Sequence, residues 1–398
     1  MDNPKRKRVA IVASHPIEQQ GPFFKVLAQS ASIEPEVFYC WKFGVDQPTF
    51  DPEFGQAIQW DIPLLDGYRC KFLPNLAPHP TSAHFFGEIN PGIVPAIWRG
   101  KYDAVIVYGW NSATALLAYC TALLRRTPIY IRGENPLNQE LLKNPWLRSL
   151  KKVVLGLLFQ YVTGFLYIGQ ENRKFFKYYG VPERKLHFVP YAVDNARFLA
   201  DAARLMPQKG SLRREFGIDP GAAVILSLGK LIEKKRPLDL LRAYERLASP
   251  DKALVFVGDG PLRPELERYV ADKKLSGVHF AGFRNQTEVG RFYALADIFA
   301  FPSQAGDTWG FVLNEAMCFG LPLVVSDIVG SVPDLVQPGK NGFVFPAGDV
   351  DALARSLEEL VASPDQRRVF GAGSKEIVKK YSYEAGVAAI EAALAQDH

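Results

Sequence analysis

The chain reads as an α/β protein built from two Rossmann-like halves, and three observations predict this. Its 398 residues exceed what one ordinary core encloses, so two domains of about 200 residues are expected. Short, continuously apolar runs recur, among them residues 9–13 (VAIVA), 102–108 (YDAVIVY), 223–228 (AVILSL) and 321–325 (LPLVV). Such runs suit parallel strands covered on both faces. Glycine-containing turns and helical patterns lie between them, which gives both halves a strand–loop–helix rhythm.

Composition narrows the class further. With 48% hydrophobic and 22% charged residues, large-scale disorder is excluded. A net charge of +5 permits an anionic ligand or an anionic membrane surface without requiring either, and no nucleic-acid partner is expected. Cys40, Cys70, Cys120 and Cys318 show no paired spacing, so reduced thiols in a cytoplasmic protein are expected, with no zinc or redox motif. The basic start MDNPKRKRVAIVAS lacks the apolar centre of a signal peptide. No run of about 18 apolar residues predicts a membrane span.

In the first half, the strand at 9–13 leads through a loop containing His15 and Gly21 into a helix from about residue 23. One glycine there fits a plain turn, and His15 reads as a loop histidine rather than a base. A second strand covers 36–40. Residues 43–91 form a long irregular stretch, which either shapes a pocket or runs over the surface. The strand at 102–108 ends in Tyr108 and Trp110, with Ser112 placed to cap the next helix. The strand at 128–132 ends in Arg132 and Glu134. Strand ends carry the ligand groups of α/β folds, so Tyr108, Trp110, Arg132 and Glu134 are acceptor-side candidates; the competing reading of the last two is a surface ion pair. Residues 144–179 combine the run VVLGLLFQYV with Arg148, Lys151, Lys152, Arg173, Lys174 and Lys177. This is either a domain helix with a charged outer face or a surface for an anionic membrane.

Residues 199–211 lose apolar periodicity and contain Pro207 and Gly210, so a linker is expected there. The expected organisation is a first domain over 1–198, a linker over 199–211, a second domain over 212–378 and a terminal helix over 379–398.

The second half opens with the strand at 223–228, followed by Gly229, Lys230 and a basic loop through Lys235 and Arg236. That loop is either solvated or supplies counterions to a phosphate. The strand at 253–257 runs into Gly258-Asp259-Gly260-Pro261, a common glycine turn, and residues 278–281 precede Phe283 and Arg284. Residues 297–302 form a strand whose loop empties onto a helix at about 310–319, closed by Gly320. A helix N-terminus after a loop suits a diphosphate. Ser331 with Pro333 and Asp334 reads as a capping box, and Asp349 as another cap. Asp307 in the central loop reads as a cap and Glu315 as part of a solvated face. Yet Glu315 stands among Leu313, Ala316 and Met317, where a lone carboxylate is costly to bury without a polar partner.

The segment Asp307-Thr308-Trp309-Gly310-Phe311-Val312-Leu313-Asn314-Glu315-Ala316-Met317 resembles the nucleotide-sugar site of retaining glycosyltransferases of the GT-B fold, family 4 (glycosyl transferases group 1). That family carries two glutamates eight positions apart; here Asp307 replaces the first and Trp309 a phenylalanine. Lys230 and Lys235 fall where the family has an arginine and a lysine. The resemblance is strongest over 223–360. It implies two Rossmann-like domains facing each other across a cleft, with the C-terminal helix packing back on the first.

The resemblance also implies a hexosyl transferase of the EC 2.4 class, acting in processes such as polysaccharide biosynthesis. A nucleoside diphosphate sugar (UDP, GDP or ADP) would donate to a glycan or lipid-linked acceptor with retention of configuration. No cofactor or metal is implied, and the location is cytoplasmic, in peripheral contact with the inner membrane face in one variant of this reading. Asp307, Glu315, Lys230 and Lys235 would be catalytic: Glu315 on the ribose, Asp307 on the donor sugar, both lysines on the diphosphate. Gly21, Gly229, Gly258, Asp259, Phe283, Arg284, Trp309, Gly310, Phe311 and Val312 would line the donor. The alternatives are an inactive sugar-nucleotide-binding relative, a sugar-nucleotide epimerase, and a membrane-surface scaffold.

Overall fold

The apolar run at 9–13 lies in β1 (Lys7–Ala13), whose last five residues are all buried. The computed structural model describes residues 6–45, 48–51 and 53–396, and element counts refer to these. In chain order there follow β2 (Ile33–Tyr39), β3 (Thr49–Asp51), β4 (Gln56–Ile58), β5 (Arg69–Phe72), β6 (Ala104–Tyr108), β7 (Ile129–Arg132), β8 (Gly164–Tyr167) and β9 (Leu186–Phe188). The second half contributes β10 (Ala223–Leu228), β11 (Lys252–Val257), β12 (Val278–Phe280), β13 (Ile298–Phe301), β14 (Leu323–Ser326) and β15 (Gly342–Phe345).

The fold divides into two units, Met1–Pro48 with Ile62–Tyr191 and Tyr383–His398, and Thr49–Asp61 with Ala192–Ser382. The first unit holds a seven-stranded sheet in the order β5-β2-β1-β6-β7-β8-β9, paired in parallel throughout. Val9 stands opposite both Pro35 and Ala104, so β1 is central and its side chains are shielded on both faces. Val105, Val107, Phe165, Phe175 and Phe176 join one apolar cluster there. Each such buried side chain contributes roughly 1.5–3 kcal/mol. The last helix, Tyr383–Ala395, belongs to this unit: Tyr383 packs edge-on against Phe23, and Lys7 donates to the carbonyl of Leu394.

The second unit holds a six-stranded parallel sheet in the order β12-β11-β10-β13-β14-β15. Its core joins Ile225, Leu240, Leu254, Ile298 and Leu357. The antiparallel ribbon β3–β4, which lies in the stretch expected to be irregular, also belongs to this unit. The rest of that stretch supplies the edge strand β5 to the first sheet.

Three local expectations need correction. Residues 199–211 are helical, within Asn195–Leu205, a 3-10 turn Met206–Gln208 and Lys209–Glu215. Asp194 caps the first helix through the amide of Arg197, and Phe198, Ala202 and Leu205 form a buried stripe. That stripe begins before residue 199, so a reading that starts there loses its first member. Gly21 lies in the first turn of helix Gln20–Ala28 rather than in the loop, where a Cβ would meet the carbonyl oxygen of Leu64 at 2.4 Å. Ser331 does not cap its helix; its hydroxyl donates to the carbonyl of Trp309. Ser112 and Asp349 do cap theirs, through the amides of Ala115 and Ala352.

Candidate functional site

In the second sheet the strand order reverses between β10 and β13: β11 and β12 build away on one side, β14 and β15 on the other. Loops leaving the carboxyl ends at such a switch point form the ligand crevice of an open α/β sheet. Here those loops carry Gly229, Lys230 and Lys235 after β10, and Asp307 to Gly310 after β13. The loop after the neighbouring strand β11 is drawn against the first. Gly229 donates to the carbonyl of Val257 and Leu231 to that of Asp259, both at 2.9 Å. Gly258 sits at φ +133°, where a Cβ would lie 2.0 Å from the Gly229 carbonyl oxygen, so this contact admits no side chain. Asp259 accepts from the amide of Gly260 and from Arg263.

Lys235 ends a 3-10 turn, Glu233–Lys235. Its ammonium donates to both carboxylate oxygens of Asp307, at 2.7 and 2.8 Å, and lies 4.6 Å from the centroid of the Phe301 ring. Burial lowers the Lys235 pKa, and the Asp307 carboxylate opposes that shift. Lys234 stands 4.0 Å from the same carboxylate. Asp307 is thus a buried ion-pair partner rather than a helix cap. Lys230 is held by two carboxylates, Asp51 at 3.0 Å and Glu53 at 2.6 Å.

The loop after β13 ends at Gly310, in the left-handed region at φ +83°, and helix Phe311–Cys318 begins there. Val312 lies in its first turn. Trp309 is buried, its indole donating to Asn314 Oδ1 at 2.9 Å and its ring packing on Tyr381. Its side chain therefore serves the core. Glu315 is also buried and accepts a 2.7 Å hydrogen bond from the Tyr293 hydroxyl, not a solvated position. The nearby carboxylate and burial push the Tyr293 pKa well up, burial being the larger cause. Phe283 packs edge-on against Phe54, and Arg284 donates to the carbonyl of Ala281 and pairs with Glu288.

The first sheet has its own switch point, between β1 and β6. Of the acceptor-side candidates the structure gathers Tyr108, Arg132 and Glu134, while Trp110 sits apart in an aromatic cluster with Phe159, Phe175 and Phe176. The Arg132 guanidinium lies 5.7 Å from the Tyr108 ring and 4.8 Å from the Tyr191 ring, and donates to the Val189 carbonyl. Tyr191 donates its hydroxyl to Glu134, whose pKa burial raises. Arg132 is buried, so the surface-pair reading of these residues falls. His15 is a satisfied loop residue, hydrogen-bonded to Ser14 and packed on Trp41 and Phe43; burial holds its pKa down to about 4.

Helix Pro145–Phe159 buries Leu155 and Phe159 on one side. Its other side exposes Trp146 (84%), Leu147, Leu150 (62%), Val153, Val154 and Leu157. The neighbouring charges are largely paired: Lys143 and Lys151 with Glu140, Lys174 with Glu171, and Arg173 and Lys177 with Glu183. The exposed residues of this helix are thus mostly apolar, with Lys152 among them. Among the described residues no helix is long and apolar enough to cross a membrane.

Residues 208–377 match the family described as Glycosyl transferases group 1. That match covers less than half of the chain. Over 201 residues the chain is 30% identical to the sulfoquinovosyl transferase SQD2 of Arabidopsis thaliana, covering 49% of this chain and 36% of that protein. It is 31% identical to a GDP-mannose-dependent phosphatidylinositol monomannoside mannosyltransferase of Mycolicibacterium smegmatis, over 49% and 52% of the two chains. The chain thus spans about a third to a half of the length of these curated relatives. In fold it resembles HepE of Anabaena, solved with UDP and glucose, at TM-score 0.73 and 16% identity over 98% and 100% of the chains. Sucrose-phosphate synthase from Thermosynechococcus elongatus follows at TM-score 0.70 and 18% identity, over 98% and 99%. The architecture is that of the GT-B glycosyltransferases.

In this group 1 domain, sequence reasoning missed Tyr293, Asn314, Ser303 and the ribbon carboxylates Asp51 and Glu53. Asn314 Nδ2 and Ser303 Oγ are buried without a hydrogen-bond partner. A buried Asn directly before Glu315 was open to notice; Tyr293, on another helix, carried no local signal. Among the described residues no group of three or more His, Cys, Asp or Glu side chains is arranged to hold a metal ion.

Proposed function

We propose that the protein transfers a sugar from a nucleoside diphosphate sugar to a hydroxyl acceptor, a glycan or lipid-linked glycan, with retention of anomeric configuration. The observation that carries this reading is the gathering of Lys235, Asp307, Lys230 and a helix N-terminus at the switch point of a group 1 domain. Negative charge develops on the departing diphosphate, and cations fixed in place before reaction stabilise it most. Lys230, Lys235 and the amides of residues 309–311 would supply that stabilisation. A divalent metal would be dispensable for the same reason, and no cofactor is invoked.

Asp307, oriented by Lys235, would hold hydroxyls of the donor sugar. Glu315 would take the ribose hydroxyls; one tyrosine O–H uses only part of a carboxylate's accepting capacity. In the transfer, the bond from the anomeric carbon to the β-phosphate oxygen breaks. A bond to the acceptor oxygen forms on the same face, and the acceptor's proton passes to the leaving phosphate. The cluster of Tyr108, buried Arg132 and Glu134 would lie on the acceptor side. The substrate classes are supported by relatives: HepE was solved with UDP and glucose, and the mycobacterial enzyme is a GDP-mannose-dependent phosphatidylinositol monomannoside mannosyltransferase. The exposed apolar face of helix Pro145–Phe159 supports peripheral contact with an anionic membrane at the cytoplasmic face.

The test is donor turnover with water as acceptor, read as nucleoside diphosphate released from UDP-glucose, GDP-mannose and ADP-glucose. Glu315→Gln preserves shape and an acceptor for Tyr293. It should lower kcat/KM roughly 10- to 100-fold, the factor carried by a hydrogen bond to a charged group, with an unchanged melting profile. Wild-type turnover by this variant would refute the role given to Glu315.

A further inference from the structure

The ammonium of Lys230, one of the two lysines assigned to the diphosphate, carries two carboxylates and one aromatic face. Asp51 Oδ2 lies 3.0 Å away, Glu53 Oε2 2.6 Å, and the centroid of the Phe54 ring 4.9 Å. All three come from the turn of the ribbon β3–β4, far from Lys230 in sequence. The ribbon is fixed at its other end as well. Asn285 Nδ2 donates to the carbonyl of Gln59 at 2.7 Å, and Thr287 donates its amide and hydroxyl to Asp61. Phe54 also packs on Phe283, with ring centroids 5.1 Å apart. The ribbon therefore touches the diphosphate lysine and the 283–287 segment that a bound nucleoside would also approach.

Turn formation alone does not account for these acids. Asp51 Oδ1 accepts from the amides of Glu53 (2.8 Å) and Phe54 (3.2 Å), a role that asparagine fills equally well. Glu53 makes its ion pair from a half-exposed position. Two negative charges on one ammonium leave a surplus where an anionic ligand is to bind. A diphosphate on Lys230 would meet both carboxylates at close range, and like charges so placed repel.

We propose that the ribbon β3–β4 is a built-in competitor, whose Asp51 and Glu53 carboxylates hold Lys230 against the donor diphosphate and must leave it for the donor to bind. The proposal rests on the reading of Lys230 as a diphosphate ligand. It makes the ribbon an autoinhibitory strap that sets the affinity for the donor. The apparent affinity of a site open for only a fraction of the time falls by that fraction.

The experiment is calorimetric titration of UDP, GDP and ADP into four full-length proteins: wild type, D51N/E53Q, K230M, and the three substitutions combined. For a nucleotide that binds wild type, D51N/E53Q should bind about tenfold tighter, the gain for a strap that is undocked about a tenth of the time. In the K230M background the gain should vanish. Equal or weaker binding by D51N/E53Q, while wild type binds, overturns the strap and leaves the donor site standing. Binding by D51N/E53Q alone supports the strap; if none of the three nucleotides binds either wild type or D51N/E53Q, the donor-site reading falls and the strap with it. Hydrogen exchange gives a second readout in the unaltered protein: a saturating nucleoside diphosphate should speed exchange several-fold across residues 49–61, and unchanged or slower exchange overturns the proposal.

Discussion

Lys235 concentrates the chemistry of the site in one side chain. Its ammonium is buried against Phe301 and answered by Asp307, and burial is the largest cause of its lowered pKa. If the charged form binds the diphosphate, affinity is complete below the lowered pKa and lost as pH rises through it. The loss should begin at a lower pH than deprotonation of an exposed lysine would produce. Nucleoside diphosphate dissociation constants measured from pH 7 to 10 should therefore weaken toward the alkaline end. Lys235→Arg, charged throughout that range, should flatten the decline. A flat wild-type profile would remove Lys235 from the binding step. At this scale the candidates Lys230, Lys235, Asp307 and Glu315 could be named from the sequence because each stands at a fixed offset inside a short motif. Their partners were not. Tyr293 is 22 positions from Glu315, and Asp51 is 179 positions from Lys230. Only folding makes them neighbours, and no local pattern encodes such pairs.

Among the elements, helix Pro145–Phe159 departs furthest from ordinary globular design. A helix docked on a core buries one apolar stripe and presents polar residues outward. This one has Leu155 and Phe159 inward and Leu150, Val153 and Leu157 outward. The sequence showed the apolar run and the basic residues around it, but not that Glu140, Glu171 and Glu183 pair with Lys143, Lys151, Arg173, Lys174 and Lys177. If this face meets lipid, burial of its apolar side chains should dominate attachment. Wild-type protein should co-sediment with vesicles of phosphatidylcholine and phosphatidylglycerol. Leu150→Glu, Val153→Glu and Leu157→Glu combined should weaken that binding at least about tenfold, since each places a charge where roughly 1.5–3 kcal/mol of apolar burial was available. Equal binding by the variant would show that another surface meets the lipid. The segment 195–215 teaches a related lesson, for its helices are held by a capping Asp194 and a buried stripe that a window opening at residue 199 cuts short.

For the whole molecule, the alternation of apolar strand and helix was readable throughout, because parallel strands covered on both faces need uninterrupted apolar runs. The ribbon β3–β4 was not, since its strands are three residues each and mostly unburied. The second unit offered the clearer candidates: they sit in short loops at the carboxyl ends of β10, β11 and β13, so their chemistry stays contiguous in sequence. In the first unit the polar cluster is assembled from two strand ends and a later loop, Tyr108, Arg132 with Glu134, and Tyr191, and only the structure separates these from Trp110.

The central claim is that the group 1 domain binds a nucleoside diphosphate through lysines rather than a metal. Thermal unfolding with UDP, GDP and ADP, each with and without EDTA, tests it most directly. A ligand at 100 times its Kd adds about 2.7 kcal/mol to the folded state, a rise of several degrees in Tm for a domain of this size. The expected result is such a rise with one base, equal in the presence of EDTA. A rise that EDTA abolishes would contradict the lysine account, and no rise with any of the three would contradict the donor site itself.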